Sequence, residues 1–365
     1  MNNIPLDIET FLSASNEFPV IDVRSPAEFE HGHIPDAYNI PLFENKERAK
    51  VGTAYKQTGR QKAIEIGLEF VGPKLSDFVQ KTKEILRGVS SRKGGTQNDK
   101  QPETILIHCW RGGMRSANFA YLLNLYGYKT HTLIKGYKAY RNFILSRVLG
   151  VDKETNLIIV GGETGSGKTE ILRNISEQGE QVIDLESLAN HKGSAFGSLG
   201  EKPQPTQEQF ENNLSHQLSK TDFKKRIWLE DESRSIGTCQ LPNQIWEKMK
   251  QAPIIRVNIP KQERIERLMN DYGKFSKEEL ANCILKIEKR LGPQHAKQAL
   301  EELEKGNLRE VTDILLSYYD KAYNYNHEKR NFKDVFVVEC ENANANLNAK
   351  KIIEFTNKKF QKEYV

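Results

Sequence analysis

Short apolar runs alternate with amphipathic stretches along the chain. Residues 19–23 (PVIDV) read as a buried strand that stops at the polar turn 24–26. A second run, Thr104–His108 (TILIH), leads straight into Cys109. The chain then turns helical over 116–125 and halts at Gly127. Between these runs, 44–102 is long and partly helical, with a helical apolar period over 75–89. It ends in SSRKGGTQNDKQP, a composition that marks an exposed loop. Residues 138–149 read as a helix leading to a boundary at 150–155. Beyond it, strands are predicted over 156–160, 181–185, 226–229, 254–259 and 335–339, with helix-rich sequence over 262–330 and a terminal helix. Strands alternating with helices predict parallel, helix-covered sheets. We place two α/β domains at 1–149 and 150–365 and find no internal repeat.

Composition agrees with two domains, since 365 residues exceed one ordinary core. No run approaches the ~18 apolar residues of a membrane span, and the N-terminus MNNIPLDIETFL is unlike a secretory leader. Cys109, Cys239, Cys283 and Cys340 are scattered without a CxxC pair, which speaks for a reducing compartment and a cytoplasmic protein. The net charge of +5 is mild. Its distribution says more: residues 104–151 hold no Asp or Glu, but include Lys135, Lys138 and Arg141 among several tyrosines. That stretch is either a solvated basic face or a surface for a polyanion.

GGETGSGKT, 161–169, satisfies G-x-x-x-x-G-K-[ST] between an apolar strand and a helix. Its candidate phosphate ligands are Gly162, Gly165, Ser166, Gly167 and Lys168, with the Thr169 hydroxyl suited to Mg²⁺. A metal-proximal carboxylate is expected among Glu230, Asp231 and Glu232, although three acids in a row do not say which. A phosphate cradle serves any diphosphate and does not by itself mean ATP hydrolysis.

After TILIH comes Cys109-Trp-Arg-Gly-Gly-Met-Arg115-Ser116, an H-C-x₅-R-S pattern. A cysteine between a strand end and a Gly-rich turn faces backbone amides and a helix N-terminus, which favour its thiolate. Arg111, Gly112, Gly113 and Arg115 would hold a tetrahedral oxyanion over the sulfur, Arg115 in bidentate fashion. Cys239, Cys283 and Cys340 lack such company and read as packing residues. His31 and His33 have no third metal ligand near them in sequence, so no certain metal site is read.

IDVRSPAEFEHGHIPDAYNIP and HCWRGGMRS resemble the signature and active-site loop of rhodanese domains. Asp36 stands where rhodaneses usually have Gly, and the seven-residue loop from Cys109 to Arg115 is one longer than in sulfur-transferring members. Longer loops of that kind occur in rhodanese-fold phosphatases. With the P-loop block and the segments DLESLANHKGSAFGSLG, QPTQEQFE and LEDESRSIG, the chain resembles the tRNA 2-selenouridine synthases over nearly its whole length. The resemblance implies a rhodanese-like domain joined to a P-loop NTPase-like domain with a helical C-terminal region. It further implies that the wobble uridine of tRNA, as 2-thiouridine, is S-alkylated by geranyl diphosphate and then converted by selenophosphate to 2-selenouridine. On that plan the enzyme is a transferase without a tightly bound cofactor. Cys109 would carry selenium as an S-selanyl group, the P-loop would bind the diphosphate, and Lys135, Lys138 and Arg141 would contact tRNA. Asp184, Glu186 and His191 are open between acid–base roles and a structured loop, Phe196 between an isoprenoid pocket and that same loop, and Gln207 and Glu211 are likewise undecided. The competing reading is a rhodanese-fold cysteine phosphatase or sulfurtransferase with a nucleotide-binding domain.

Overall fold

A computed structural model describes residues 3–92, 103–149, 155–330 and 334–360. The chain divides into two compact units, Met1–Arg147 and Val148–Val365. Most of the 90–102 segment, and the 150–154 part of the expected boundary, lie outside the described residues.

The first unit runs β1 (Asn3–Leu6), α1 (Ile8–Ala14), β2 (Val20–Asp22), α2 (Pro26–His31), β3 (Tyr38–Asn39), α3 (Asn45–Gln57), α4 (Arg60–Val71), α5 (Leu75–Arg92), β4 (Thr104–His108), α6 (Met114–Tyr126), β5 (Lys129–Leu133) and α7 (Gly136–Leu149). Its strands form one parallel sheet in the order β1-β5-β4-β2-β3. Period-2 alternation in β4 splits the core. Ile105 and Ile107 pack on one face with Phe78 and Phe119, and Leu106 packs on the other with Phe11 and Tyr137. Asp22 pairs in register with His108, so the carboxyl ends of β2 and β4 lie together and Cys109 emerges beside them. Asp36 has φ 65, a left-handed conformation that glycine adopts at least cost, which accounts for the residue usual in rhodaneses there.

The second unit runs β6 (Leu157–Gly162), α8 (Lys168–Glu177), β7 (Gln181–Val182), α9 (Leu185–Ala189), α10 (Gln207–Ser219), β8 (Ile227–Glu230), β9 (Ser235–Ile236), β10 (Cys239–Gln240), α11 (Asn243–Gln251), β11 (Ile254–Asn258), α12 (Lys261–Tyr272), α13 (Lys277–Leu291), α14 (Pro293–Lys305), α15 (Leu308–Arg330), β12 (Val335–Glu339) and α16 (Ala345–Lys359). Its parallel sheet has the order β12-β11-β6-β8-β7. Ile158, Val160 and Trp228 face a core with Ile171 and Ile352, and Ile159 and Leu229 face another with Phe210 and Ile245. A third cluster joins α13, α14 and α15 through Ile284, Ala299 and Leu315. The strand expected over 181–185 stops at Val182, because Asp184 caps α9 by accepting from the Ser187 amide at 2.7 Å. No helix among the described residues is long and apolar enough to cross a membrane.

Candidate active sites

The Cys109 loop is braced from behind by the turn between β5 and α7. The Tyr137 and Lys138 amides donate to the carbonyls of Cys109 and Trp110 at 2.8 and 3.0 Å. The backbones come so close that a Cβ at Gly136 would lie 2.3 Å from the Cys109 carbonyl oxygen, and one at Gly112 would lie 2.5 Å from that of Leu133. Both positions therefore demand glycine. Arg111, Gly112 and Gly113 are exposed above the loop, while Cys109 is buried at 3%.

Cys109 Sγ lies 3.3 Å from Ser116 Oγ. Burial pushes the thiol up, but hydrogen bonds from the Ser116 side chain and amide, with the Arg115 charge and the Gly113 amide, more than offset it and leave the thiol below its ordinary value. Both terminal nitrogens of Arg115 donate to Glu28, at 2.7 and 3.2 Å. The Arg115 fork, expected over the sulfur, is held by Glu28 in this structure, and its charge still acts on the Cys109 thiol. Glu28 also accepts from the Ser25 amide at 3.0 Å, closing the capping box of α2. Beneath the loop a buried Arg24 pairs with Asp22 at 2.6 Å and stacks on Tyr137 at 3.8 Å. Burial lowers the pKa of His108 there to about 4, so it is neutral at pH 7.

In the second unit β6 delivers the P-loop beside β8. Val160 pairs with Glu230 and the Asp231 amide donates to the Val160 carbonyl at 3.0 Å, so the loop and the acidic run leave the sheet side by side. Gly162, Gly165, Gly167, Lys168 and Thr169 line a cleft of about 700 Å³. Ser166 turns inward, its hydroxyl buried without a hydrogen-bond partner among the described residues. Lys168 Nζ donates to the Gly162 carbonyl at 3.0 Å and Thr169 Oγ1 to Glu186 at 2.8 Å. The Gly162 amide donates to the Tyr323 hydroxyl at 2.9 Å, and that hydroxyl to Asp231 at 3.1 Å. Arg264 clamps the loop from α12, pairing with Glu163 at 2.9 Å and Asp320 at 2.8 Å and donating to the Thr164 carbonyl at 3.1 Å. Arg267 pairs with Glu170 and lies across Gly167, adding a cation to the cleft.

Two further cavities open off this cleft. An apolar one of about 70 Å³ is lined by Phe196, Leu268, Leu280, Ile284, Val311 and Leu315, among others. A polar one of about 540 Å³ lies between the 191–198 loop and α13. Ser194 and Tyr319 line all three. Along α15, Val311, Leu315, Tyr319 and Tyr323 recur every fourth residue, a single stripe from the apolar cavity to the P-loop amide.

Residues 155–353 match the family described as tRNA 2-selenouridine synthase AAA domain, and residues 8–143 match the rhodanese-like domain. Among relatives named tRNA 2-selenouridine synthase, that of Aeromonas salmonicida is 33% identical over 92% of this chain and 94% of its own. That of Bdellovibrio bacteriovorus is 34% identical over 87% and 91%, and that of Shewanella frigidimarina 35% over 87% and 91%. The chain belongs to the tRNA 2-selenouridine synthase family.

Within this synthase fold the acidic candidates separate. Asp184 caps α9, its side chain accepting from the Ser187 amide. Glu230 is buried and accepts from the Glu186 amide at 2.9 Å; burial, with Asp184 and Glu186 nearby, holds its carboxyl well above the usual range. Glu232 is pushed up by burial and by Glu186, to which it is hydrogen-bonded. Glu186, Asp231 and Glu232 all line the cleft. His191 accepts from the Gly193 amide at 3.2 Å and is lowered by burial. Gln207, also undecided from sequence, is bound to Gln240 and Glu211 and pins β10.

In the first unit Lys135 and Lys138 are exposed and Arg141 half-buried, but Tyr137 and Tyr140 lie in the core and offer no stacking face. Cys239, Cys283 and Cys340 are buried in three separate cores. His33 stacks on Phe29 and is hydrogen-bonded to its carbonyl at 2.9 Å. Sequence reading passed over Glu28, Ser194, Arg264, Arg267 and Tyr319. Glu28 alone carried a signal, three residues after Ser25 in a capping-box spacing.

Ser116 gives a direct test of the thiolate. Ser116→Ala removes a hydrogen bond to a charged group, worth about 1.5–3 kcal/mol, so the thiol pKa should rise by roughly one unit or more. The midpoint of the pH profile for iodoacetamide alkylation of Cys109 should move up accordingly. A midpoint within about 0.3 units of the wild type, a shift of only ~0.4 kcal/mol, would remove Ser116 from the account.

Proposed function

We propose that the chain modifies the wobble uridine of tRNA, exchanging the sulfur of 2-thiouridine for selenium in two steps. In the first, the sulfur attacks C1 of geranyl diphosphate. A C–S bond forms, the C1–O bond breaks with its electron pair going to the diphosphate, and the uracil N3 proton is released. In the second, the selenium of selenophosphate bonds to C2, the C2–S bond breaks and the sulfur leaves as geranylthiol, and water cleaves the P–Se bond to release inorganic phosphate. The family relationship supports the overall conversion. The observation that carries the first step is the apolar cavity opening off the P-loop cleft. A nucleotide has no use for a hydrocarbon slot beside its phosphates, whereas a prenyl diphosphate is built of those two parts.

Lys168, Arg267 and the N-terminus of α8 would stabilise charge growing on the departing diphosphate. Among the described residues no group of three or more His, Cys, Asp and Glu is arranged to hold a metal. Thr169, Glu186 and Glu232 nevertheless suit Mg²⁺ completed by diphosphate oxygens, being hard oxygen donors in which two carboxyls crowd one site. Mg²⁺ held there would neutralise diphosphate charge. The Cys109 loop, with its favoured thiolate and Arg111 beside it, is our site for selenophosphate.

The cavity of about 70 Å³ is roughly half the ~150 Å³ that accepts benzene, so it seats the far end of a chain rather than a whole one. Leu280→Trp should fill it. KM for geranyl diphosphate should then rise tenfold or more, since each buried CH₂ is worth about 0.8 kcal/mol, while dimethylallyl diphosphate is spared. Chromatography of digested tRNA carrying wobble 2-thiouridine reads out the S-alkyl nucleoside. If turnover of the wild type requires ATP hydrolysis, or proceeds without a prenyl diphosphate, the reading fails.

A further inference from the structure

We propose that the polar cavity between the 191–198 loop and α13 is the acceptor site, which receives the thiolated nucleotide of the RNA. The inference rests on the reading above, that RNA is alkylated in the second unit. It assigns the surface that reading leaves blank.

The first ground is connectivity. In a prenyl diphosphate the carbon under attack joins the diphosphate to the hydrocarbon. With the diphosphate on the P-loop and the tail in the apolar cavity, that carbon falls where the two cavities meet. Ser194 and Tyr319 line both, and they line the polar cavity as well. A nucleophile in the polar cavity therefore faces the reacting carbon from a third side. At about 540 Å³ the cavity is of the size that ordinarily holds a small ligand, and a nucleotide is one.

The second ground is charge. Lys286, Lys289 and Arg290 line this cavity and are exposed. Their spacing of three and four residues sets them on one face of α13, while Glu288 between them falls on another. No ion pair among the described residues engages them, in contrast to Arg267 and Lys192, which are paired with carboxylates. Three unpaired cations beside a catalytic cleft suit the phosphates flanking a splayed nucleotide.

The third ground is the aromatic wall. Tyr318 and Tyr319 sit 5.1 Å apart at 62°, lining both the polar cavity and the cleft. A ring at the mouth of a cationic pocket is the usual platform for an unstacked base. α7 in the first unit supplies cations too, but its Tyr137 and Tyr140 are buried.

The test uses the full chain and a tRNA with photoreactive 4-thiouridine at the wobble position. After irradiation, mass spectrometry of the digest should place the cross-link within 286–290 or on Tyr318 or Tyr319. A cross-link confined to 136–149 overturns the proposal. In parallel, Lys286→Glu combined with Lys289→Glu should raise KM for tRNA at least tenfold, with the Kd for inorganic diphosphate, measured by calorimetry, within twofold of wild type. An unchanged KM for tRNA overturns the proposal. Should the variant lose diphosphate binding through misfolding, the wild-type cross-link decides. Failure of the alkylation reading shows elsewhere, as wild-type enzyme yielding no S-alkyl nucleoside from geranyl diphosphate, and leaves the cross-link map interpretable.

Discussion

Lys168→Ala abolishes alkylation of 2-thiouridine while leaving pre-geranylated tRNA a substrate for selenophosphate; that is the expected result. Allylic carbon–oxygen cleavage leaves a diphosphate bearing the electron pair, and its departure is limited by how well that charge is stabilised. Removing one well-placed donor to a developing oxyanion typically costs 10²–10³ in rate, and a full positive charge at that position should cost at least as much. Among the described residues Lys168 donates to the Gly162 carbonyl, at the rim of the loop, so its loss leaves the surrounding packing in place. The melting temperature should stay within a few degrees of wild type. Single-turnover chromatography of tRNA nucleosides with geranyl diphosphate measures the loss. An alkylation rate within tenfold of wild type would show that the P-loop does not hold the leaving group.

Cys109→Ser should give the opposite pattern. S-geranyl-2-thiouridine accumulates and 2-selenouridine falls below detection. Serine keeps the size of the side chain and a contact to Ser116, so the braced loop should survive. What it lacks is an accessible anion, since a hydroxyl is a far poorer nucleophile than a thiolate at neutral pH. Wild type given pre-geranylated tRNA and selenophosphate should release geranylthiol and inorganic phosphate, and the variant should release neither. The division of labour falls if Cys109→Ser, folded and binding tRNA, blocks alkylation as fully as Lys168→Ala does.

Much of this arrangement was readable in the sequence because it depends on local rules. Thr104–His108 as a strand into Cys109, and an apolar run into GGETGSGKT, are each a strand, a tight turn and a helix within a few residues. The edges were less legible. β3, β7, β9 and β10 have two residues each and carry no period of their own. Partners distant in sequence were not legible at all. Glu28 meets Arg115 across 87 positions, and Arg264 meets Thr164 across 100, contacts that exist only once the sheets have formed. The basic stretch misled in part for the same reason. Tyr137 and Tyr140 look like stacking rings in one dimension, but their helix turns them inward onto Arg24 and the core. The acidic triplet 230–232 could not be sorted until burial set Glu230 inside and placed Asp231 and Glu232 at the cleft.

The stripe on α15 gives the second unit a common lever. Val311, Leu315, Tyr319 and Tyr323 span three four-residue steps, about 18 Å of rise. Over that length one helix lines the apolar cavity, its junction with the cleft and the P-loop amide, and Asp320 fastens it to Arg264. A helix held this way shifts or rotates as a body, so a ligand that tilts it at one end changes the fit at the other. Linkage then makes the effect mutual: whatever factor a ligand on the P-loop lends to ligands of the two adjoining cavities, they return to it.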